Sequence, residues 1–471
     1  MSVVIGIIFF HHQPHAGYTT PTPTSRSLVH KTLLAREHRG EMKLFSDLVG
    51  AATSASGNAI SAALVPLIWA SSYLQTDPLA VAHSILKTTP LIDGHVDLPV
   101  LFRYIYGGDL ASPKVDYKGE LQGFVDLPRL RKGGSGGFFS IAYVPCTKIP
   151  EGEREDFNAP TWQVRDTLEQ IDLTWSLAEY YPDDVAVVTT PQELRSAFKS
   201  GKISHLIGIE GAHSLGNSLS TLRTYHRLGA RYLTLTHTCH NAFADSAGAT
   251  AGQALPPLHG GLSKIGFRLI DELNRLGMMA DLSHTSDDTA KDVIKHTKAP
   301  FFFSHSGARA VHDHIRNVPD VLLDQARDSG KDGIVMVAFL YPFVGPEGNA
   351  GISKVADHID HIASKIGRSK LGIGSDYDGG FKFADGLEDV STYPKLVAEL
   401  FSRGWSRNEL RGLVGENLIR VLGETIRVGD EVRAKGALPD VATIDGRPDN
   451  GPGKPTFDSE PCKRSNAGLV K

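Results

Sequence analysis

The sequence predicts an α/β protein whose main domain is a (β/α)8 barrel of the TIM type. Eight short runs rich in β-branched and aromatic residues lie between residues 91 and 376, and helical patterns separate several of them. A barrel of this type typically takes about 250 residues, close to the length of that interval. The alternative is a doubly wound open sheet. It is disfavoured because no Gly-rich phosphate-binding fingerprint follows the first run.

The candidate strands share one pattern, an apolar run that ends in polar residues or in a turn. They are LIDGHVD (91–97), GFFSIAYVP (137–145), HLIGIEG (205–211), RYLTLTH (231–237), GMMADLSH (277–284), APFFFSH (299–305), GIVMVAF (333–339) and LGIGSD (371–376). Strands that alternate with helices form parallel βαβ units. The C-terminal ends of all eight strands should therefore meet at one mouth of the barrel.

Amphipathic helices are predicted between and after these strands. Residues 263–277 place four apolar side chains on one face and end in Gly277, which favours a helix stop. Residues 286–297 open with Ser286 and two acidic residues, as a helix N-terminus should. Further helical patterns occupy 355–367, 394–402 and 406–421.

Composition and patterning divide the 471 residues into three parts. We predict an N-terminal extension at 1–89, a barrel domain at 90–434 and a polar tail at 435–471. The apolar run at 59–70 has the length of a signal-peptide core if translation starts at Met42, and an ordinary buried helix is the other interpretation. A secreted or membrane-associated protein is expected rather than a cytoplasmic one. The net charge of −4 with scattered basic residues predicts no nucleic-acid partner.

Chemically reactive residue types stand where the candidate strands end. Six of the eight runs finish in a His, Asp or Glu, and these residues are His95 with Asp97, Glu210, His237, His284, His305 and Asp376. Taken singly, each would be an ordinary loop residue or helix cap. Together, at the end of a barrel where active sites lie, they predict a site in the mouth.

The residue types at the strand ends also indicate a metal. Three imidazoles, from His95, His284 and His305, and two carboxylates, from Asp97 and Glu210, without any thiolate, suit zinc rather than calcium. A carboxylate can bridge two such ions, and the pair then holds a hydroxide at neutral pH. The predicted chemistry is therefore metal-assisted hydrolysis.

Ordered motifs along the barrel resemble those of the membrane (renal) dipeptidase family of zinc peptidases. They are DGHVDLP, IEGAHSL, LTLTHTCHN, DLSHTS, FSHSGAR, RNVPDV, GIGSDYDG and GLEDVSTYPKL. The resemblance runs from about Pro90 to about Leu422, and the CHN…ADSAG form is most similar to fungal members. It implies a barrel of the metal-dependent amidohydrolase kind, in agreement with the strand pattern.

The resemblance implies a ligand set of two zinc ions per chain. His95 and Asp97 would hold one ion, His284 and His305 the other, and Glu210 would bridge them. The implied reaction is attack of the metal-bridging hydroxide on the peptide carbonyl of a broad range of dipeptides, including some with a C-terminal D-residue.

Further residues receive roles from the resemblance alone. His237 would contact the substrate carbonyl and stabilise the oxyanion. Arg316, which precedes Asn317, would bind the free C-terminal carboxylate. Asp376 would transfer the proton to the leaving amine, with Asp378 as the competing choice.

The cysteines are also interpreted through the family. Cys146 and Cys239 match positions that are disulfide-bonded in the kidney-type enzymes, so the resemblance implies this bridge. Cys462 resembles the family's intersubunit cysteine only loosely, which leaves a homodimer possible. The last residues, NAGLVK, form no hydrophobic tail for a lipid anchor, and membrane attachment is therefore uncertain.

Two other functions compete with a dipeptidase. One is a related amidohydrolase that acts on the Cys-Gly units of thiol metabolites. The other is a binding protein that kept the fold and lost catalysis. The complete set of site residues argues against the second.

Overall fold

The computed structural model describes residues 76–147 and 161–442. The apolar run at 59–70, Cys462 and the tail beyond residue 442 lie outside the described residues, so those predictions stay predictions. Within the described part, a single β-sheet carries the fold.

The sheet closes into a parallel eight-stranded barrel, as predicted. Its strands are β1 (Leu91–Val96), β2 (Ser135–Tyr143), β4 (Ile203–Glu210), β5 (Ala230–Thr234), β6 (Met279–Asp281), β7 (Phe301–Phe303), β8 (Gly333–Val337) and β9 (Leu371–Ile373). Each strand pairs with its neighbours in that order, and β9 pairs with β1 to close the ring. All eight candidate runs are strands, and the open-sheet alternative is excluded.

One strand was not predicted from the sequence. β3 (Val185–Val187) pairs in parallel with β4 and does not take a place in the ring, because β4 also pairs with β2. It lies in the short apolar run VAVV at 185–188 and is as short as the ring strands β6, β7 and β9, so its length alone does not set it apart.

Helices surround the barrel. They are α1 (Pro78–Leu86), α2 (Leu98–Tyr106), α3 (Leu127–Gly133), α4 (Gln163–Tyr180), α5 (Pro191–Lys199), α6 (Leu219–Arg227), α7 (Lys264–Leu276), α8 (Asp287–His296), α9 (Asp320–Asp328), α10 (Tyr341–Val344), α11 (Ile352–Ile366), α12 (Tyr393–Ser402), α13 (Arg407–Arg411) and α14 (Asn417–Ala434). Across residues 76–147 and 161–442, none of the helices has the length and apolar character needed to span a membrane.

The helix boundaries follow the capping residues read from the sequence. The Ser286 hydroxyl accepts a hydrogen bond from the backbone N–H of Thr289 and starts α8. Gly277 ends α7 with a φ of 72°, a left-handed conformation that glycine adopts without steric cost. These two predictions are confirmed.

The compact fold begins before the first strand. Helix α1 lies in the range assigned from the sequence to the N-terminal extension, yet it buries Val81, Ala82, Ile85 and Leu86 and packs against α12. Burial of four apolar side chains is the behaviour of a core helix rather than of a surface extension.

Aromatic side chains fill the interior of the barrel beneath its mouth. The Tyr232 ring lies 4.7 Å from that of Phe139 and 5.2 Å from that of Phe302, measured between ring centroids. These residues belong to β5, β2 and β7, which are not adjacent strands, so their rings can meet only inside the barrel. The interior is therefore a packed aromatic layer that lies directly below the residues of the mouth.

Candidate active site

Glu210 lies at the centre of the mouth. Its Oε1 atom is 3.2 Å from Nε2 of His284 and 3.6 Å from Nε2 of both His95 and His305. The Nε2 atoms of His284 and His305 are 3.0 Å apart. Four strand ends that are distant in sequence thus bring one carboxylate and three imidazoles together.

Three more sequence-predicted residues surround this group. Asp97 Oδ2 is 3.4 Å from His95 Nε2, and Asp376 Oδ1 is 3.9 Å from the same nitrogen. His237 offers a ring nitrogen within 4.8 Å of ligand atoms of Glu210 and His284. Its ring centroid is 4.2 Å from that of His284.

Several polar atoms of this group are buried without a protein partner. His95 and Asp97 are at most 2% exposed, and neither His95 Nε2 nor Asp97 Oδ2 has a hydrogen-bond partner among the described residues. Asp97 stands at the N-cap position of α2, where an Asp commonly caps, yet its side chain makes no capping bond. An unpaired buried polar group costs about 1–3 kcal/mol, so these atoms point to a bound ligand.

The backbone at the mouth holds non-glycine residues in the left-handed conformation. In the described ranges, the non-glycine residues with positive φ are Asn217, His284 (67°), Asp376 (69°) and Asp378 (65°). Each costs on the order of 1–3 kcal/mol, and such strain clusters at functional sites. Three of the four lie in the loops that follow strands β6 and β9. The left-handed backbone there helps to set the direction of side chains at the mouth.

Burial controls the charge of the acidic residues. Burial, together with the nearby charges of Asp97 and Asp376 and against the opposing effect of His95, raises the pKa of Glu210 to about 8. Burial likewise raises the pKa of Asp376 to about 7 and that of Asp97 well above its usual range. Without a bound cation, the mouth therefore favours neutral carboxyl groups.

The imidazoles show the complementary effect. Burial lowers the pKa values of His237, His284 and His305 well below the usual range. Neutral imidazoles are the form that binds a metal ion, because a ring nitrogen keeps its lone pair.

Arg316 lies in the loop after β7 and is buried, with 3% of its surface exposed. Its Nη2 atom donates a hydrogen bond of 3.3 Å to the carbonyl of His305, and its guanidinium lies 5.1 Å from the Phe343 ring centroid. Its Nε atom has no partner among the described residues. Burial lowers the pKa of Arg316 to about 10, so it stays charged at neutral pH.

The strand-end reasoning alone missed Arg316, because this residue follows no strand directly. Only the resemblance identified it. The signal in the structure is the neighbouring Asn317, whose side chain accepts from Gly307 N–H at 2.9 Å and donates to the carbonyl of Phe343 at 2.8 Å. These bonds fix the loop that carries the arginine.

Asp378 is occupied differently from Asp376. Its Oδ1 atom accepts a hydrogen bond of 2.8 Å from the backbone N–H of Phe124. Burial raises the pKa of Asp378 to about 7. The two aspartates therefore share a loop but make different contacts.

The predicted disulfide between Cys146 and Cys239 is present. It joins the loop after β2 to the loop after β5, strands that flank β4 and Glu210 in the ring. His237 stands two residues before Cys239, and the Tyr143 ring packs 4.6 Å from the His237 ring. The disulfide and this ring contact together restrain the position of His237.

Comparison with known proteins identifies relatives that span the barrel. The sequence profile described as membrane dipeptidase (peptidase family M19) matches residues 79–436. Dipeptidase verJ of Clonostachys rogersoniana is 40% identical over 365 residues, which cover 77% of this chain and 91% of that protein.

Solved structures agree with the fold. The probable dipeptidase PvdM of Pseudomonas aeruginosa aligns with a TM-score of 0.65 at 22% identity and covers 75% of this chain and 100% of its own. A metallopeptidase of Rhodobacter sphaeroides, liganded with a phosphinate mimic of the dipeptide L-Ala-D-Ala, aligns with a TM-score of 0.62 at 29% identity, covering 72% and 99%. The chain therefore belongs to the membrane dipeptidase family and is a metal-dependent dipeptidase.

Proposed function

We propose that the protein is a zinc dipeptidase that holds two zinc ions per chain and hydrolyses a broad range of dipeptides. The observation that carries the proposal is the position of Glu210 Oε1, within 3.6 Å of the Nε2 atoms of three histidines. A carboxylate so placed among three imidazoles would let Glu210 hold both ions.

The donors in the mouth fit zinc. His95 with Asp97 would hold one ion, His284 with His305 the other, and Glu210 would contact both. Imidazole and carboxylate donors without thiolate suit zinc. His95 Nε2 and Asp97 Oδ2, which are buried without a hydrogen-bond partner among the described residues, are free to coordinate an ion. A cation would also compensate the three carboxylates, whose ionisation burial disfavours.

The bound metals would supply a nucleophile at neutral pH and polarise the peptide carbonyl. The residues of the chain would do the rest. His237, half-buried and restrained by the disulfide loop, would hydrogen-bond the carbonyl oxygen as charge develops there. Arg316 would bind the substrate's C-terminal carboxylate through its free Nε–H and neighbouring N–H groups.

The position of Arg316 supports a preference for dipeptides. Its guanidinium contacts the backbone of His305, a proposed metal ligand, so a carboxylate bound there lies close to the reacting carbonyl. A single residue between the carboxylate and the reacting carbonyl would suit such a short separation, and longer peptides would lose the charged contact. The Rhodobacter relative, liganded with an L-Ala-D-Ala mimic, supports acceptance of a C-terminal D-residue.

Asp376 is the better candidate for the proton transfer to the leaving amine. Its Oδ1 atom faces His95 Nε2 at 3.9 Å, whereas Asp378 uses its Oδ1 atom on the backbone of Phe124. In the metal-free protein burial raises the pKa of Asp376 to about 7, the direction that favours a carboxyl group able to carry a proton.

The proposal is tested with a panel of dipeptides, with and without a C-terminal D-residue, on metal-stripped protein before and after zinc is restored. We expect hydrolysis to vanish on stripping and to return as zinc approaches two ions per chain, measured by amine release and elemental analysis. Parallel assays on Cys-Gly thiol adducts distinguish a specialised amidohydrolase. Activity that ignores zinc would end the proposal.

Replacing Arg316 by Met should lower kcat/KM for dipeptides by about 10- to 100-fold, because one charge-assisted hydrogen-bonding contact is worth about 1.5–3 kcal/mol. The matched substrate is the same dipeptide with a C-terminal amide, which offers no carboxylate and should be affected little. Steady-state kinetics on both substrates measure the difference. An equal loss on both would show that Arg316 does not recognise the carboxylate.

Replacing Asp376 by Asn should reduce kcat by about 10²- to 10⁴-fold, the usual contribution of a positioned acid or base. Asp378→Asn is the matched control on the same loop, and a much smaller loss is expected because its backbone contact with Phe124 can persist. The zinc content of each variant is measured beside kcat. The reverse order of effects would assign the proton transfer to Asp378.

The metal-free protein should lose stability as the pH rises from about 7 to about 8. In this range the folded chain still holds protons on Glu210, whose pKa is raised to about 8, while unfolded carboxyl groups are fully ionised. Asp376 and Asp378, whose pKa values burial raises to about 7, and Asp97, whose pKa burial raises well above its usual range, add to the effect of Glu210. The buried histidines with lowered pKa values oppose it, because each is about one-quarter protonated at pH 7 when unfolded and only a few per cent protonated at pH 8. Urea denaturation in chelator at both pH values measures the loss.

Two controls accompany this measurement. Saturating zinc should remove the fall, because the cation stabilises the ionised carboxylates. Glu210→Gln should make the fall smaller in chelator. Equal or rising stability of the metal-free protein over this range would contradict the charge balance derived for the mouth.

A further inference from the structure

Two of the imidazoles in the mouth are held from behind by buried hydroxyl groups. The Nδ1 atom of His95 lies 2.9 Å from the Tyr232 hydroxyl, and the Nδ1 atom of His305 lies 2.7 Å from Ser304 Oγ. Ser304 Oγ is also 3.4 Å from Nδ1 of His95. One fully buried serine thus contacts imidazoles that belong to the two different halves of the proposed zinc site.

Asp281 fixes the direction of the hydrogen bonds around Ser304. Its Oδ2 atom is 2.6 Å from Ser304 Oγ and 2.6 Å from Thr234 Oγ1, and its Oδ1 atom accepts from the backbone N–H groups of Ser304 and Ser283. An ionised carboxylate only accepts hydrogen bonds. The Ser304 hydroxyl therefore donates its proton to Asp281 and can only accept from an imidazole.

The same reasoning fixes the state of both rings. His305 must carry its proton on Nδ1 to donate to Ser304, which leaves the lone pair of Nε2 directed at the mouth. Tyr232 donates to the carbonyl of Gly94 at 3.2 Å and so accepts from Nδ1–H of His95. The Nδ1 atom of His284, by contrast, has no partner in the described part of the chain.

We propose that Ser304, held by Asp281, is a positioning residue shared by both metal positions. It sets the tautomer and orientation of His305 and contributes to those of His95, so that both rings present Nε2 lone pairs to the mouth. Because Ser304 contacts both rings, its loss should weaken the binding of both zinc ions. The ion held by His305 should be affected more. This inference rests on the proposed metal site and concerns residues to which the sequence analysis assigned no role.

Ser304→Ala tests the inference, with Thr234→Val as its matched control. Both variants delete a hydroxyl that lies 2.6 Å from the same Asp281 oxygen, and only the first touches imidazoles. We expect Ser304→Ala to lose about 10- to 100-fold in zinc affinity, the usual effect of losing such a partner. Thr234→Val should bind zinc like the wild type. Tyr232→Phe should weaken the binding of only the zinc ion that His95 holds.

Zinc affinity is measured for each ion by competition with a chelator, so that the readout does not depend on activity. Equal zinc binding by Ser304→Ala and the wild type would overturn the inference, and so would an equal loss in Thr234→Val. A wild type that binds no zinc would instead contradict the proposed function.

A second measurement needs no variant. Nitrogen-15 spectra of zinc-loaded wild-type protein labelled at histidine should show His95 and His305 protonated at Nδ1. Protonation of either ring at Nε2 would overturn the inference even if Ser304→Ala failed to fold.

Discussion

Glu210 is a carboxylate enclosed by protein, with Oε1 within 3.6 Å of three imidazole nitrogens, where water cannot solvate its charge. An ionised carboxylate in such a place needs cations, and the imidazoles of His284 and His305, whose pKa values burial lowers, supply none. The surrounding side chains add further carboxylates rather than compensating ones, apart from Arg316. The protein alone therefore supplies too little positive charge to compensate the carboxylates of the mouth. Metal binding and the ionisation of Glu210 depend on each other for this reason.

Hydrogen bonds and packed side chains below the mouth hold the strand ends in place although the carboxylates above them are not compensated. Asp93 accepts hydrogen bonds from the backbone N–H groups of His95 and Ser375 and from the Tyr393 hydroxyl, and so joins the ends of β1 and β9. Asp281 does the same for β6 and β7 through Ser304. Beneath both lies the packed aromatic layer of the barrel. Rings that carry metal ligands are thereby oriented before any ion arrives, which lowers the cost of binding.

The sequence predicted much of the barrel because the ring strands lie in short, mostly apolar runs, six of which end in a His, Asp or Glu, and helical patterns separate several of them. It did not reveal β3, which lies outside the ring, or Arg316, which follows no strand directly. Helix α1 lies in the stretch that the sequence analysis assigned to the N-terminal extension. Ser304 and Asp281 escaped for another reason: their importance lies in hydrogen-bond directions, which only three-dimensional neighbours reveal.

The left-handed backbone at His284, Asp376 and Asp378 sets stability against activity. Glycine at His284 or Asp376 would relax the backbone and so oppose unfolding, while it would remove a side chain of the mouth. Glycine at Asp378 would also remove the hydrogen bond to Phe124. Laboratory selection for heat resistance alone would therefore favour glycine at these positions and so yield inactive variants. Selection that also demands turnover would have to find its stability elsewhere, for instance on the outer faces of the helices, where substitutions leave the strained turns untouched.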